Sequence, residues 1–184
     1  MKVLGISGSL RRDSHNTKLL RAAGDLLPPG VELDLWEGLK SVPPYDADDD
    51  GGDRDWSLVS LDAAIRDADA VLFSTPEYNH SVPGQLKNAL DWLSRPLKDS
   101  PLRNKPTAVV GASTGLFGAV WAQAELRKVL GAIGARVVDR ELPVGLADDA
   151  FADDGGLTDD EQRLILADLV TELLAEAEPS RIAA

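Results

Sequence analysis

The stretch KVLGISGSLRRDSHNTKLL (residues 2–20) passes from an apolar run through a polar segment into a helical pattern. Residues 2–6 are mainly apolar, and we interpret them as a buried β-strand. Over residues 16–27, apolar side chains recur at the three- and four-residue spacing of a helix, which PPG at residues 28–30 ends. Residues 7–17 therefore lead from a first strand directly into a first helix.

Strand and helix patterns alternate through the rest of the chain. Continuous apolar runs such as ADAVLFST (residues 68–75) are typical of strands that are covered on both faces. The alternation favours an α/β fold with a parallel sheet and helices on both of its faces. We expect one domain over residues 1–178 and a frayed tail over residues 179–184. Further strands are predicted at residues 31–36, 68–75, 107–112 and 136–138, and further helices at residues 56–66, from residue 83, at residues 119–133 and after a capping box at residues 158–161.

The composition is that of an ordinary globular protein, with 43% hydrophobic and 27% charged residues among 184. A formal net charge of −12 argues against nucleic acid or an anionic membrane as a partner, because both need clustered Lys and Arg. The absence of cysteine excludes disulfides, thiolate nucleophiles and cysteine-bound zinc. The apolar run at residues 1–6 is too short for a signal peptide or a membrane span, so we expect a cytoplasmic protein.

Three segments that leave predicted strands have an unusual composition. They are residues 7–17, 76–84 and 113–118, which we call the first, second and third segments. Ligands of open α/β sheets bind beyond the carboxyl ends of the strands, which is where all three segments begin. Each one alone could be an ordinary turn between a strand and a helix. Their common position leads us to expect a single ligand site that uses all three.

The first segment has the composition of an anion site. It opens a helix, whose free N–H groups favour phosphate, and Arg11 adds formal positive charge. The alternative is a polar turn in which Ser14 or Asn16 caps the helix. The segment lacks the Gly-Lys-Ser/Thr of an ATPase loop and the glycine spacing of a dinucleotide fingerprint, which argues against an ATPase and a two-domain dehydrogenase. Small hydrogen-bonding side chains are supplied by Ser9, Ser14, Asn16 and Thr17.

The other two segments suit a planar ligand. Pro76 and Pro83 restrict the backbone of the second segment at both ends, so a polar ring could lie against it and accept hydrogen bonds from its N–H groups. The glycines of the third segment let a ligand approach the backbone closely.

Together the segments resemble the NAD(P)H-dependent FMN reductase family, which includes bacterial quinone, chromate and azo-dye reductases. The resemblance extends to about Asp139, and the family commonly carries Gly where this chain has His80. The matching pieces are GSLRRDSHNTKLL (residues 8–20), PEYNHSVPGQLKNALDW (residues 76–92), the weaker GASTGLFG (residues 111–118) and PPYD (residues 43–46).

The resemblance implies a three-layer flavodoxin-like fold, with a doubly wound parallel sheet of five strands in the order 2-1-3-4-5. It implies FMN as cofactor, NADPH or NADH as co-substrate, and a homodimer or homotetramer. The first segment would surround the FMN phosphate through Ser9, Arg11, Ser14, Asn16 and Thr17. The isoalloxazine ring would lie beside Pro76, Glu77, Tyr78 and Asn79, with Ser113, Thr114 and Gly115 completing its environment.

The family resemblance also implies a reaction. Hydride passes from NAD(P)H to the flavin, and the flavin then reduces a quinone or a similar small acceptor (chromate, an azo compound or free flavin) in a ping-pong sequence. We expect no separate catalytic side chain, because the cofactor performs the chemistry. The main alternative is a flavodoxin-type electron carrier acting with a protein partner, although its phosphate loop is typically rich in Thr and Gly and lacks the pair Arg11-Arg12.

Two further alternatives fail because acidic residues that they require are absent. A response-regulator receiver needs acidic residues after the first strand and an Asp at the end of the third, where this chain has Ser7-Gly8 and Thr75-Pro76. A calcium loop at residues 46–51 needs a Glu where Ser57 stands. His15 and His80 have no close second ligand, so we expect no metal site.

Overall fold

The computed structural model describes residues 1–178, and the predicted frayed tail at residues 179–184 lies outside them. The strands are β1 (Lys2–Ser7), β2 (Glu32–Trp36), β3 (Ala70–Thr75), β4 (Pro106–Ala112), β5 (Arg136–Val137) and β6 (Pro143–Val144). The α-helices are α1 (His15–Gly24), α2 (Trp56–Asp67), α3 (Gly84–Leu93), α4 (Val120–Ile133) and α5 (Asp160–Ala177). Short 3₁₀ turns occupy Gly38–Ser41, Ala47–Asp49 and Leu97–Asp99.

The strands form a parallel sheet in the order β2-β1-β3-β4-β5, which confirms the predicted order. The fifth position is divided, because β6 pairs with the end of β4 on the side where β5 pairs with its beginning. The residues between β5 and β6 include two that form ion pairs with neighbouring helices. Arg140 pairs with Glu172 on α5, and Glu141 pairs with Arg127 on α4.

Helices cover both faces of the sheet, as predicted for three layers. Alternate strand residues point to opposite faces, so Val3 packs with α1 and α5 while Leu4 and Ile6 pack with α2, α3 and α4. β3 and β4 are buried along their whole length, which matches their continuous apolar sequences. No helix within residues 1–178 has the length and apolar character needed to cross a membrane.

Two helix ends differ from the sequence prediction. α1 ends at Gly24, short of residue 27. Pro28 has no N–H to donate to the carbonyl of Gly24, and this carbonyl instead accepts from Leu27 in a tighter turn. α5 is capped by Asp159, whose side chain accepts from the N–H of Gln162, so the cap lies one residue after Thr158. The Thr158 hydroxyl instead donates to the carbonyl of Ala150.

Candidate active site

The three segments meet at the carboxyl end of the sheet, after β1, β3 and β4. The N–H of Gly8 donates to the carbonyl of Ser74 over 2.8 Å, which fixes the start of the first segment against the end of β3. A cleft of about 250 Å³ lies between the first and second segments. It is lined by Gly8, Leu10, Arg11, Tyr78, Pro83, Gly84 and Gln85.

The first segment presents backbone N–H groups that the protein itself does not use. Within residues 1–178, no group accepts from the N–H of Leu10, Arg12, Asp13 or Ser14. The Ser14 hydroxyl caps α1 by accepting from the N–H groups of the second and third helical residues, over 3.1 and 3.4 Å. Unpartnered donors beside a helix start are what an anion such as phosphate requires.

The charged side chains of the first segment also favour an anion. The side chain of Arg11 is exposed on the cleft. Asp13 is neutralised by Lys18, whose ammonium lies 3.1 Å from the carboxylate and lowers the pKa of Asp13. The local charge is therefore positive although the whole chain carries −12.

Asn16 connects the first segment to β3 and β4. Its Oδ1 accepts from the N–H of Ala112 over 3.0 Å and from the hydroxyl of Ser74 over 2.9 Å. Its Nδ2 donates to the carbonyl of Ala112 over 2.9 Å, and the residue is buried. The structure therefore places this side chain within the scaffold of the site, with its polar atoms turned toward β3 and β4.

The second segment contains a tight hairpin turn. Tyr78 and Ser81 exchange two backbone hydrogen bonds of 3.2 and 3.1 Å, which leaves Asn79 and His80 at the tip. Both tip residues are left-handed, with φ of 54° and 59°. Two consecutive left-handed residues define a type I′ turn, and its second position favours glycine. This conformation explains why Gly suits the position of His80.

Glu77 caps α4 from outside that helix. Its Oε2 accepts from the N–H groups of Trp121 and Ala122, each over 3.1 Å. Ala119, at the cap position, has no side chain that could do this and is itself left-handed at φ 62°. The carboxylate thus fixes the second segment to the start of α4 by a charge-assisted contact with the helix end.

Glu125 makes a second connection between the same two elements. Its Oε2 accepts from the hydroxyl of Ser81 over 2.6 Å and from the N–H of Val82 over 3.3 Å. These two hydrogen bonds hold the pKa of the Glu125 carboxyl below its ordinary value. The second segment is therefore anchored to α4 at two points, one on each side of the turn.

The third segment lies against β6 and the backbone that follows it. The N–H of Ser113 donates to the carbonyl of Val144 over 3.0 Å, and the N–H of Leu146 donates to the carbonyl of Gly115 over 3.1 Å. At Gly118, where φ is +57°, a Cβ atom would lie 2.6 Å from the N of Val144. A side chain at Gly118 would therefore push the third segment away from β6.

Gln123 supports the third segment from inside the protein. Its Nε2 donates to the carbonyl of Gly118 over 3.1 Å, and its Oε1 accepts from the N–H of Leu142 over 3.2 Å. The residue is fully buried. A signal for it existed in the sequence, because this glutamine stands on the otherwise apolar face of α4.

Exposed aromatic side chains surround the outer edge of the site. Trp121 lies edge-on to Phe117 and to His80, with ring centroids 5.2 and 4.6 Å apart. Tyr78 and Leu116 are also exposed beside them. We call Tyr78, Leu116, Phe117 and Trp121 the apolar rim.

Across residues 1–178, no three His, Asp or Glu side chains are placed so that they could hold a metal ion.

A family comparison agrees with this geometry. The model of the protein family described as NADPH-dependent FMN reductase matches residues 1–149. The chain belongs to the NADPH-dependent FMN reductase family. The enzyme class predicted from the three segments is thereby confirmed at the level of the family.

Individual members of the FMN reductase family are also similar to this chain. An NAD(P)H-dependent FMN reductase of Pseudomonas aeruginosa is 41% identical over 167 residues, which cover 90% of this chain and 89% of the relative. A quinone reductase of Escherichia coli is 39% identical over 143 residues, which cover 76% and 74%. The solved structure of FerB, a flavoenzyme NAD(P)H:(acceptor) oxidoreductase from Paracoccus denitrificans, is 35% identical with a TM-score of 0.83, and the match covers 96% of both chains.

In this member of the FMN reductase family, the predicted site residues divide into two groups. All lie at one edge of the sheet, but not all present a free side chain. At least partly open to solvent are Ser9, Arg11, Thr17, Tyr78, Asn79, Ser113, Thr114 and Gly115. Ser14, Asn16 and Pro76 are buried, and the Glu77 carboxylate caps α4. Within the open group, the hydroxyls of Ser9 and Ser113 also accept hydrogen bonds from the N–H groups of Arg11 and Gly115. Direct contact of each residue with a flavin stays a prediction.

Proposed function

We propose that this chain is an FMN-dependent NAD(P)H oxidoreductase that reduces quinones or similar small acceptors. The observation that carries the proposal is the first segment, where four N–H groups before α1 have no acceptor within residues 1–178 and Arg11 lines the cleft beside the second segment. Such a set fits the phosphate of FMN, because helix N-termini bind anions. The similar FMN and quinone reductases support the same cofactor and acceptor class.

The chemistry that bound FMN supplies is hydride acceptance from NAD(P)H and, after the nicotinamide has left, reduction of the acceptor. The protein contributes position and electrostatics. Backbone N–H groups of the first segment and Arg11 hold the phosphate, while Ser14 and Asn16 keep that segment in shape. The second segment, fixed by Glu77, supports the ring, and Ser113, Thr114 and Gly115 border its other side.

The open character of the site favours a broad choice of acceptor. Tyr78 and Thr114 are exposed, so a flat acceptor can reach the ring without passing through a closed channel. We therefore include chromate, azo compounds and free flavin with quinones as candidate acceptors. The proposal further includes a homodimer or homotetramer that acts in the cytoplasm.

The test is the visible spectrum of the purified protein supplied with FMN. The protein is expected to retain a yellow chromophore that bleaches when NADPH or NADH is added without oxygen. Colour is expected to return when a benzoquinone is added, without any partner protein. A bleached protein that passes electrons only to a second protein would instead indicate a flavodoxin-type carrier. A colourless protein that does not bind micromolar FMN would contradict the proposal.

A further inference from the structure

A second cleft lies behind the first segment. It has a volume of about 270 Å³ and is bordered by α1, by the end of β2 and by the turn that follows β2. Leu10 and Arg11 line this cleft and also the cleft that contains Tyr78. The tip of the first segment is therefore a wall between the two clefts, and a ligand phosphate bound there would adjoin both.

The second cleft gathers unpaired positive charge. Arg11, Arg12, Arg21 and Lys40 line it, and within residues 1–178 none of the four forms a salt bridge. Clustered cations repel one another, so their presence in a chain of net charge −12 indicates an anionic ligand at this place. A single flavin phosphate accounts for Arg11 but leaves Arg12, Arg21 and Lys40 without an anionic partner. The arrangement favours a second anionic group.

One wall of the second cleft is aromatic and held in place. Trp36 lines it, and the indole Nε1 donates to the hydroxyl of Ser60 over 3.2 Å. The ring also lies against Gly38, where a Cβ atom would be 2.8 Å from Cε2 of the indole. An indole fixed on a groove wall offers a stacking surface for a nucleic-acid base.

The position of the second cleft matches a known way of holding adenosine. In dinucleotide-binding folds, the pyrophosphate lies at the start of the helix after the first strand. A carboxylate after the second strand binds the ribose there, and a nearby Arg accommodates a 2′-phosphate. Here Glu37 directly follows β2, and Arg12 and Lys40 line the same cleft. The cleft thus combines a ring surface, a ribose acceptor and phosphate partners.

We propose that the second cleft binds the adenosine phosphate portion of a nucleotide whose other half lies at the flavin site, either as the flavin itself or as a nicotinamide against the bound flavin. The base lies on Trp36, the ribose hydroxyls donate to Glu37, and Arg12, Arg21 and Lys40 contact the phosphate. Two nucleotides carry this group: FAD, bound in place of FMN, and the nicotinamide co-substrate. The inference rests on the proposed function, since that function puts a nucleotide at the first segment.

The test is calorimetric titration of the FMN-supplied protein with two probes. AMP represents the adenosine half of FAD, whose other phosphate FMN already carries, and 2′,5′-ADP represents the adenosine half of NADPH. Either probe is expected to bind saturably, and Arg12→Gln and Lys40→Gln are each expected to weaken binding about fivefold or more, because each removes a charged hydrogen-bond partner of the phosphate. The control is Lys98→Gln, which removes an exposed, unpaired cation from a distant 3₁₀ turn and is expected to leave binding unchanged.

The outcomes separate the sources of the adenosine group. Tighter binding of 2′,5′-ADP than of AMP, lost in the Arg12→Gln or Lys40→Gln variant, assigns the cleft to NADPH. Equal binding, together with an affinity for FAD that falls in the same variants while the affinity for FMN does not, assigns it to FAD. No binding of either probe at millimolar concentration, or binding that both variants leave unchanged, overturns the inference. The visible spectrum reports FMN independently, so failure of the proposed function is recognised separately.

Discussion

Ser14 and Asn16 stand two residues apart and serve the site in different ways. Ser14 caps α1 with its hydroxyl, whereas Asn16 ties the first segment to β3 and β4 with its amide. Both are small polar residues in a polar stretch, and the family resemblance implied that both contact the phosphate. Only the three-dimensional pairing with Ala112 and Ser74 shows that the amide is used internally. The separation of capping from anion binding at Ser14 can be tested directly.

Replacing Ser14 with Asp or with Asn separates charge from capping. Both replacements are good helix caps and have nearly the same shape, so both variants are expected to fold with similar stability. Ser14→Asp is expected to weaken FMN binding about hundredfold or more, because like charges a few ångströms apart repel strongly at the effective dielectric constant of a protein surface. Ser14→Asn is expected to bind FMN much as the parent does. Fluorescence titration of FMN measures both, and equal affinities would contradict the phosphate site.

His80 allows a measurement of backbone strain in the turn. Its φ of 59° is left-handed, which costs a non-glycine residue about 1–2 kcal/mol. His80→Ala and His80→Gly both remove the ring that contacts Trp121, but only Gly relieves the strain. We expect His80→Gly to exceed His80→Ala by about 1 kcal/mol in the free energy of unfolding. Chemical denaturation of the two variants decides it, and a more stable Ala variant would contradict the turn assignment.

Among the elements, α4 is the one that connects the second and third segments. Glu77 caps its start, Glu125 holds the second segment one turn later, and Gln123 holds Gly118 from the buried side. The helix does not cap itself, since Ala119 has no polar side chain. Its stability and the shape of the site are therefore coupled.

The contact of Glu125 gives this coupling a pH dependence. Hydrogen bonds from Ser81 and Val82 lower the pKa of the carboxyl in the folded protein, so its contribution to stability is complete above the ordinary value of 4.5 and is lost as the pH falls through the lowered value. Glu125→Gln removes the titrating group. We expect the parent to be more stable than this variant near neutral pH, with the difference shrinking below pH 4.5. Thermal unfolding across this range measures it, and a difference that grows with acidity would exclude the contact.

The sequence predicted the elements better than the contacts between them. Buried strands such as β3 and β4 were recognisable from continuous apolar runs, and the strand order came from the family resemblance. The capping of α4 by Glu77 was not predictable, because it joins residues 44 positions apart that no local pattern connects. The division between β5 and β6 was not predicted either, and the ion pairs that flank it, to α4 and α5, likewise form only in the folded chain.

Over the whole molecule, charge and apolar surface are unevenly placed. The net charge of −12 is interrupted by the unpaired cations behind the first segment, and the apolar rim stands exposed beside the site. Contiguous apolar surface on a soluble protein often marks an interface. In the proposed homo-oligomer, we place a subunit contact at Leu116, Phe117 and Trp121 of this rim, which leaves Tyr78 and the approach to the ring open.

A matched pair of leucines tests the placement of that contact. Leu116 in the rim and Leu164 on α5 are 69% and 68% exposed, so a charged replacement costs each position little in the isolated subunit. Leu116→Glu is expected to shift the protein toward monomers in sedimentation velocity, because it puts a carboxylate into an apolar contact. Leu164→Glu is expected to sediment as the parent does. The placement fails if the two variants behave alike.

The divided fifth strand also has a consequence for how copies of this protein meet. An unbroken outer strand offers a row of free amide and carbonyl groups onto which another chain can add, and that is a common start of aggregation. Here that border of the sheet consists of two pieces of two residues each, β5 and β6. The opposite border, β2, carries the exposed acidic residues Glu32 and Asp34. Neither border suits growth of a continuous intermolecular sheet, so assembly is left to surfaces made of side chains.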